Sequence, residues 1–186
     1  MRRLLIATTL LAAIAGASSA SAAGTTASVG PFPVTGNVPS LCSGGLVTGG
    51  NTVFSLGTLI DTATGLMLNN LSAPSKTVTG SFCNAASTIT VAATPITAQA
   101  FVGTPPTGFS NALNYTATAS GWTPTAASFT TGAATNPAAV QTRTTAFTGD
   151  ITVGVSAIST VGGNTLRLVA DPSYQGVVTI TLAVVS

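Results

Sequence analysis

Over residues 177–185 apolar and polar side chains alternate, with Val178, Ile180, Leu182 and Val184 on one parity and Thr179, Thr181 and Ala183 on the other. A period of two sends successive side chains to opposite faces of an extended chain, so the pattern predicts a strand with one buried face. Residues 75–83, 87–93, 112–119, 151–158 and 165–170 repeat it. Helical periodicity never extends beyond a few positions. Gly162-Gly163 and Asp171-Pro172-Ser173 lie between the last three predicted strands, and such residues make tight turns. The C-terminal third therefore reads as an antiparallel meander. Residues 94–106 and 121–137, which gather prolines, read as long surface connections. Many short strands with turn signals between them predict an all-β, antiparallel sandwich.

Threonine recurs as T-x-T at Thr62/Thr64, Thr77/Thr79, Thr88/Thr90, Thr116/Thr118, Thr123/Thr125, Thr142/Thr144 and Thr179/Thr181. A solenoid with a threonine face needs a fixed repeat, and these intervals are irregular. The expectation is that threonine fills outward strand positions, where its branched Cβ suits the pleat.

The N-terminus has a different character. Arg2 and Arg3 precede an apolar run over residues 4–14, and Ala20-Ser21-Ala22-Ala23 supplies a small-residue cleavage site. These are the three parts of a secretory signal peptide, and the run is shorter than the ~20 apolar residues of a membrane span. Residues 1–23 are thus expected to be removed on export. Residues 24–186 remain as a single domain with an N-terminal extension over 24–34, carrying no transmembrane segment. Lys76, Arg143 and Arg167 then balance Asp61, Asp150 and Asp171, and the formal charge of +2 belongs to the two removed arginines. Without a basic stripe there is no counterion release to drive nucleic-acid binding, and that class is set aside.

Export makes the two cysteines readable. In an oxidising compartment Cys42 and Cys83 are expected to form a structural disulfide, since neither histidine nor a C-x-x-C spacing supports a metal or redox site. Closing a loop of roughly 40 residues stabilises a fold by about 4 kcal/mol on the chain-entropy estimate.

Four segments in order resemble the spore coat protein U family, secreted pilin-like domains that also build archaic chaperone-usher pili. Residues 32–42, Phe-Pro-Val-Thr-Gly-Asn-Val-Pro-Ser-Leu-Cys, are similar to that family's opening strand and first cysteine. Residues 54–59, Phe-Ser-Leu-Gly-Thr-Leu, look like its phenylalanine-glycine strand. Residues 78–84, Val-Thr-Gly-Ser-Phe-Cys-Asn, resemble the strand with its second cysteine, followed by an alternating strand around Ile89 and Val91. Residues 174–182 are similar to its closing Tyr-x-x-x-x-Thr-Val-Thr-Val strand, and Leu113-Asn114-Tyr115 to its middle strand.

The resemblance implies an immunoglobulin-like sandwich that lacks one strand, filled by strand addition from the N-terminal extension of the next subunit. Ala27, Val29, Phe32 and Val34 are the candidate plugs of such an extension. Pro31 and Pro33 interrupt a ladder there, and the parity changes between Val29 and Phe32. Residues 24–34 equally fit the molecule's own first strand or a frayed terminus. Val178, Ile180, Leu182 and Val184 would border the groove, where burying four aliphatic side chains contributes about 6 to 10 kcal/mol. The implied partners are copies of this chain or sister subunits, a periplasmic chaperone and an outer-membrane usher. The implied location is the periplasm in transit, then the cell surface or the extracellular medium.

Catalysis is poorly provided for. The absence of histidine removes Ser-His-Asp and Cys-His arrangements, and the absence of glutamate leaves three aspartates for paired-carboxylate chemistry. Asp61-Thr62-Ala63-Thr64-Gly65 departs from the Asp-Thr-Gly of aspartic proteases and reads as a turn, as do Asp150 and Asp171. Phe32, Trp122 and Tyr174 fit either a carbohydrate-stacking surface or a core. No cofactor or metal site is expected, and the chain is read as a non-enzyme. Two functions remain: a structural subunit of a secreted polymer, and a monomeric adhesive or ligand-binding sandwich with its site in the Pro/Gly-rich loops.

Overall fold

The computed structural model describes residues 29–185, so the expected signal peptide and Ala27 lie outside the described residues. Two units are distinguished, one ending at Asn37 and one beginning at Val38. In the first, residues 29–37 form no strand, and Val29, Phe32 and Val34 are 83%, 77% and 99% exposed.

The second unit is all-β. Its strands are β1 (Cys42–Ser43), β2 (Leu46–Val47), β3 (Lys76–Cys83), β4 (Ser87–Ala93), β5 (Ile96–Ala98), β6 (Phe109–Ser110), β7 (Ala112–Ser120), β8 (Ala127–Thr130), β9 (Val140–Arg143), β10 (Phe147–Thr160), β11 (Arg167–Leu168), β12 (Tyr174–Gln175) and β13 (Val178–Val184). Three long strands in the order β3-β10-β7 form the centre of an eight-stranded antiparallel sheet. Strands β1 and β2 pair with the outer edge of β3, and β5 and β8 with the outer edge of β7. Among the described residues the facing sheet has three strands, β13-β4-β9, and a short parallel pair joins β6 to β11.

One core lies between the two sheets. Strand β4 contributes Ile89 and Val91, while β7 contributes Tyr115, Ala117 and Ala119, and β10 contributes Ile151 and Val153. Two bulges let the long strands keep an apolar face inward. Gly80, at φ +74°, marks an extra residue in β3, so Val78 faces the core before it and Ser81 and Cys83 after it. An extra residue in β10, with Ala157 at φ +50°, moves the inward parity from Ile151, Val153 and Val155 to Ile158 and Thr160. Such bulges re-aim side chains at the expense of local strain. Threonine takes many outward strand positions, as expected, although Thr123, Thr131 and Thr160 are buried: Thr77, Thr152 and Ser120 share a row across three strands, and Thr116 Oγ1 meets Thr130 Oγ1 at 2.8 Å.

Several expectations are corrected. Residues 151–185 do not form a meander, because β10 lies in the large sheet, β11 pairs with β6 and β13 pairs with β4. Alternation specifies that a strand has a buried face without specifying its neighbour. Residues 32–41 and 54–59 form no strand, and the region of the first cysteine pairs only at Cys42–Ser43. Residues 94–106 and 121–137 are not surface connections throughout, since they include β5 and β8 and a fully buried Trp122.

Trp122 is core, not a stacking surface. Gly121, at φ +93°, lies so close to the Asp150 carbonyl that a Cβ would collide with it, and this turn delivers the indole inward. Trp122 Nε1 donates to Ser87 Oγ at 3.3 Å, and its ring meets Phe147 edge-on at 5.2 Å. The Arg143 guanidinium lies 3.5 Å over Phe147 and donates to the Trp122 carbonyl at 2.7 Å. Cation, ring and carbonyl thereby lock β9 and β10 to this corner.

Cys42 and Cys83 are bonded, and they face each other in the β1–β3 register. The bridge pins the short β1 to the large sheet. Reduction, or Cys83→Ala with Cys42→Ala, is expected to lower the unfolding free energy by about 2–5 kcal/mol. Urea titration of the oxidised and reduced chains measures this as a lower midpoint.

Candidate functional site

The two lateral sides of the sandwich are finished differently. On the β9 side, the turn of 3₁₀ helix at Pro137–Ala139 links β8 to β9, and Asn136 holds β8 through Thr130 N–H to Oδ1 at 2.7 Å and Nδ2 to Thr130 O at 3.2 Å. Strand β9 itself is only four residues long. A short strand beside a proline turn is a guarded edge.

Strand β13 is longer, at seven residues, and pairs with β4 from Val178↔Ala93 to Val184↔Ser87 without a break. Among the described residues nothing pairs with its other edge. The hydrogen-bond phase is fixed at both ends, where Thr94 N–H donates to Val177 O and Val185 N–H donates to Ala86 O, each at 2.9 Å. Odd-numbered residues therefore face β4. In an antiparallel ladder the intervening residues point their N–H and C=O the opposite way. The free edge consequently presents the backbone groups of Val178, Ile180, Leu182 and Val184, the same residues whose side chains face inward.

Those side chains are incompletely covered. Ile89 and Val91 of β4 are 0% and 1% exposed, whereas all four β13 aliphatics remain partly exposed although Val178, Ile180 and Leu182 pack on the same core. The strand carries neither charge nor proline.

A half-open cleft of about 1000 Å³ adjoins the start of β13. Ile96, Tyr115, Val155 and Ile158 line it from the large sheet, with residues 52–60 and 168–178 completing its walls. Residues 53–56 alternate in exposure, with Phe54 and Leu56 half-buried between exposed Val53 and Ser55, yet the segment pairs with no strand. The bulge in β10 matters here, because it brings Val155 and Ile158 to the same face.

Polar groups fix the rim. Buried Tyr115 donates its hydroxyl to Val177 O at 3.1 Å, anchoring the start of β13 to the large sheet, and burial pushes its phenol up from the ordinary value. Tyr174 donates to Val169 O at 2.8 Å, and both burial and the Asp171 charge raise its phenol. Asp171 Oδ2 accepts from Ala100 and Phe101 N–H at 2.8 and 2.7 Å, and Oδ1 from Ser173 N–H at 2.8 Å. Loss of hydration acts to raise this carboxyl, but hydrogen bonds from the backbone at Ser173, Ala100, Phe101 and Gln99 outweigh it and hold it below the ordinary aspartate value. Asp61 takes the turn role read from the sequence, its Oδ1 accepting from Ala63 N–H at 2.7 Å.

The structure thus gathers Val178, Ile180, Leu182 and Val184 at one edge and joins Cys42 to Cys83. Val29, Phe32 and Val34 belong to the other unit. Sequence reading missed Tyr115, Val155 and Ile158 as cleft residues; the only local signal was the parity change within residues 151–158. Among the described residues no helix is long and apolar enough to cross a membrane. Comparison with protein-family models, curated proteins and solved structures returns no match.

A depressed carboxyl stabilises its clip above the unfolded aspartate value and loses that contribution as pH falls through its folded value. The amide resonances of Ala100 and Phe101 are therefore expected to titrate together with a midpoint below that of an ordinary aspartate. In Asp171→Asn they titrate no longer.

Proposed function

We propose that the chain is exported and serves as a structural subunit of a surface polymer, a pilus or coat, in which a strand from another subunit adds to the free edge of β13. The observation that carries this reading is the coincidence at β13 of two deficits. The same four residues, Val178, Ile180, Leu182 and Val184, have outward-directed backbone groups and half-covered aliphatic side chains. One added strand would satisfy both, giving the backbone its ladder and the side chains their cover.

The alternative occupant of an open edge is another edge of the same kind, which leads to aggregation. An export pathway for such a subunit therefore calls for a protective partner in transit. A periplasmic chaperone that lends a strand, followed by an outer-membrane usher, fits that need and accords with the spore coat protein U resemblance. The immunoglobulin-like connectivity implied by that resemblance belongs to the same proposal. The neutral composition suits it as well: stacked copies meet without like-charge repulsion, and Thr-rich outer faces keep the surface hydrated.

Cell-surface extracts run in SDS without boiling are expected to show a ladder of multiples of the subunit that collapses to monomer on boiling. Ile180→Asp, which places a charge on the inward face of the free edge, is expected to abolish the ladder while monomer remains detectable. A single monomer band from wild type, with a soluble recombinant domain that folds cooperatively without a chaperone, would overturn the reading in favour of a monomeric adhesive sandwich.

A further inference from the structure

Residues 51–58 have the pattern of a strand and none of its bonds. Phe54 packs on the main core and Leu56 is half-buried, while Val53 and Ser55 are exposed. Among the described residues no backbone hydrogen bond joins residues 51–58 to the rest of the chain. The flanking ties are Thr48 N–H to Thr77 O at 2.8 Å and Leu68 N–H to Leu59 O at 2.9 Å. Gly50 and Gly57, at φ +68° and +67°, have no atom within 4 Å of where a Cβ would stand, so the backbone can pivot at both without collision. The segment is a strap, pinned at its ends and loose between them.

Direction and parity both match the free edge of β13. Leu41 O accepts from Asn84 N–H at 3.1 Å and Ala86 O from Val185 N–H at 2.9 Å, so residue 41 and the end of β13 lie at the same end of the sandwich. Residues 52–60 line the cleft together with Val177 and Val178, at the start of β13. Between residues 41 and 58 the chain therefore travels from the end of β13 towards its start, antiparallel to it. In an antiparallel pair, bonded residues stand opposite each other and point their side chains to one face. Strand β13 offers the backbone groups of its inward residues, and the inward residues of the strap are Phe54 and Leu56.

We propose that residues 53–56 close across the cleft and pair antiparallel with β13 of the same chain, with Leu56 opposite Val178 and Phe54 opposite Ile180. The structure holds the open arrangement, and closure is an excursion from it. This register sets apolar against apolar. A shift of two residues one way leaves Leu56 facing Gly176, and the other way carries both side chains past Val178, the β13 aliphatic that lines the cleft. Lys76 opposes closure: its ammonium lies 6.0 Å over the Phe54 ring, and this cation–π contact is surrendered when Phe54 moves to β13. Lys76 thus latches the open state. The strap covers the edge in cis, whether or not a strand from another subunit ever adds there.

On closure Ser55 and Thr179 form a non-hydrogen-bonded pair with both side chains outward and Cα atoms about 4.5 Å apart, within reach of a disulfide. In dilute solution the full chain carrying Ser55→Cys and Thr179→Cys is expected to oxidise to a monomer, with positions 55 and 179 linked on mass mapping beside the native Cys42–Cys83 bond. Val53→Cys with Thr179→Cys, out of register, is expected to link much more slowly. Adding Lys76→Ala is expected to raise the rate of 55–179 linkage about two- to fivefold, the effect of losing a weak cation–π contact. Linkage only between chains, or none, overturns closure; equal or faster linkage through position 53 overturns the register, and an unchanged rate with Lys76→Ala overturns the latch. The unsubstituted chain gives a second reading. NMR relaxation dispersion is expected to show one shared exchange process at the amides of residues 53–56, Val178 and Ile180, and flat profiles there contradict closure. Chains locked through positions 55 and 179 are expected to give no SDS ladder until reduced. A ladder from locked chains contradicts strand addition at β13 and leaves closure standing, whereas a wild-type ladder without 55–179 linkage contradicts closure and leaves addition standing.

Discussion

A sheet face lined with aliphatic side chains has to be covered, and among the described residues the covering sheet is the narrower of the two. Three long strands, β3, β10 and β7, present their inward residues to a layer that among the described residues has three strands, of which just β4 is paired on both sides. Most features of the site follow from that inequality. The β9 side is finished by Asn136, the 3₁₀ turn and the Arg143–Phe147–Trp122 stack. Among the described residues the β13 side ends in an unpaired edge beside a cleft. Tyr115 and the Asp171 clip hold the cleft's rim in place, so the opening is built from well-anchored parts.

The fold class was legible because alternation reports a buried face wherever the ladder is regular. Strand β4 coincides with its predicted segment, β3 and β7 differ from theirs by one residue at one end, and β13 is shorter than its segment by one residue at each end. What alternation omits is the identity of the neighbour, and the expected C-terminal meander failed for that reason. Residues 54–59 show the converse, a strand-like pattern with no partner. Trp122 was hidden because one apolar residue amid glycine, proline and threonine has no period to announce it. Cysteine count and export context were enough to anticipate the bridge.

The site was half legible. Val178, Ile180, Leu182 and Val184 were identifiable as one face of one strand. That their backbone groups also point outward depends on the pairing phase with β4, a tertiary fact. The cleft depends on a bulge around Ala157 that reverses parity, which from sequence reads only as a lapse in the pattern. The near-absence of charge gains a physical reading under the proposed strand addition, which calls for an uncharged edge, and β13 carries no charge.

Hydrogen exchange resolved by residue along β13 tests the central claim most directly. In the isolated subunit the amides of Val178, Ile180, Leu182 and Val184 should exchange quickly while those of Thr179, Thr181 and Ala183, which face β4, are protected; in the assembled polymer all seven should be slow. Equal protection of both sets in the isolated subunit, or fast exchange at the even-numbered amides in the polymer, would contradict the account.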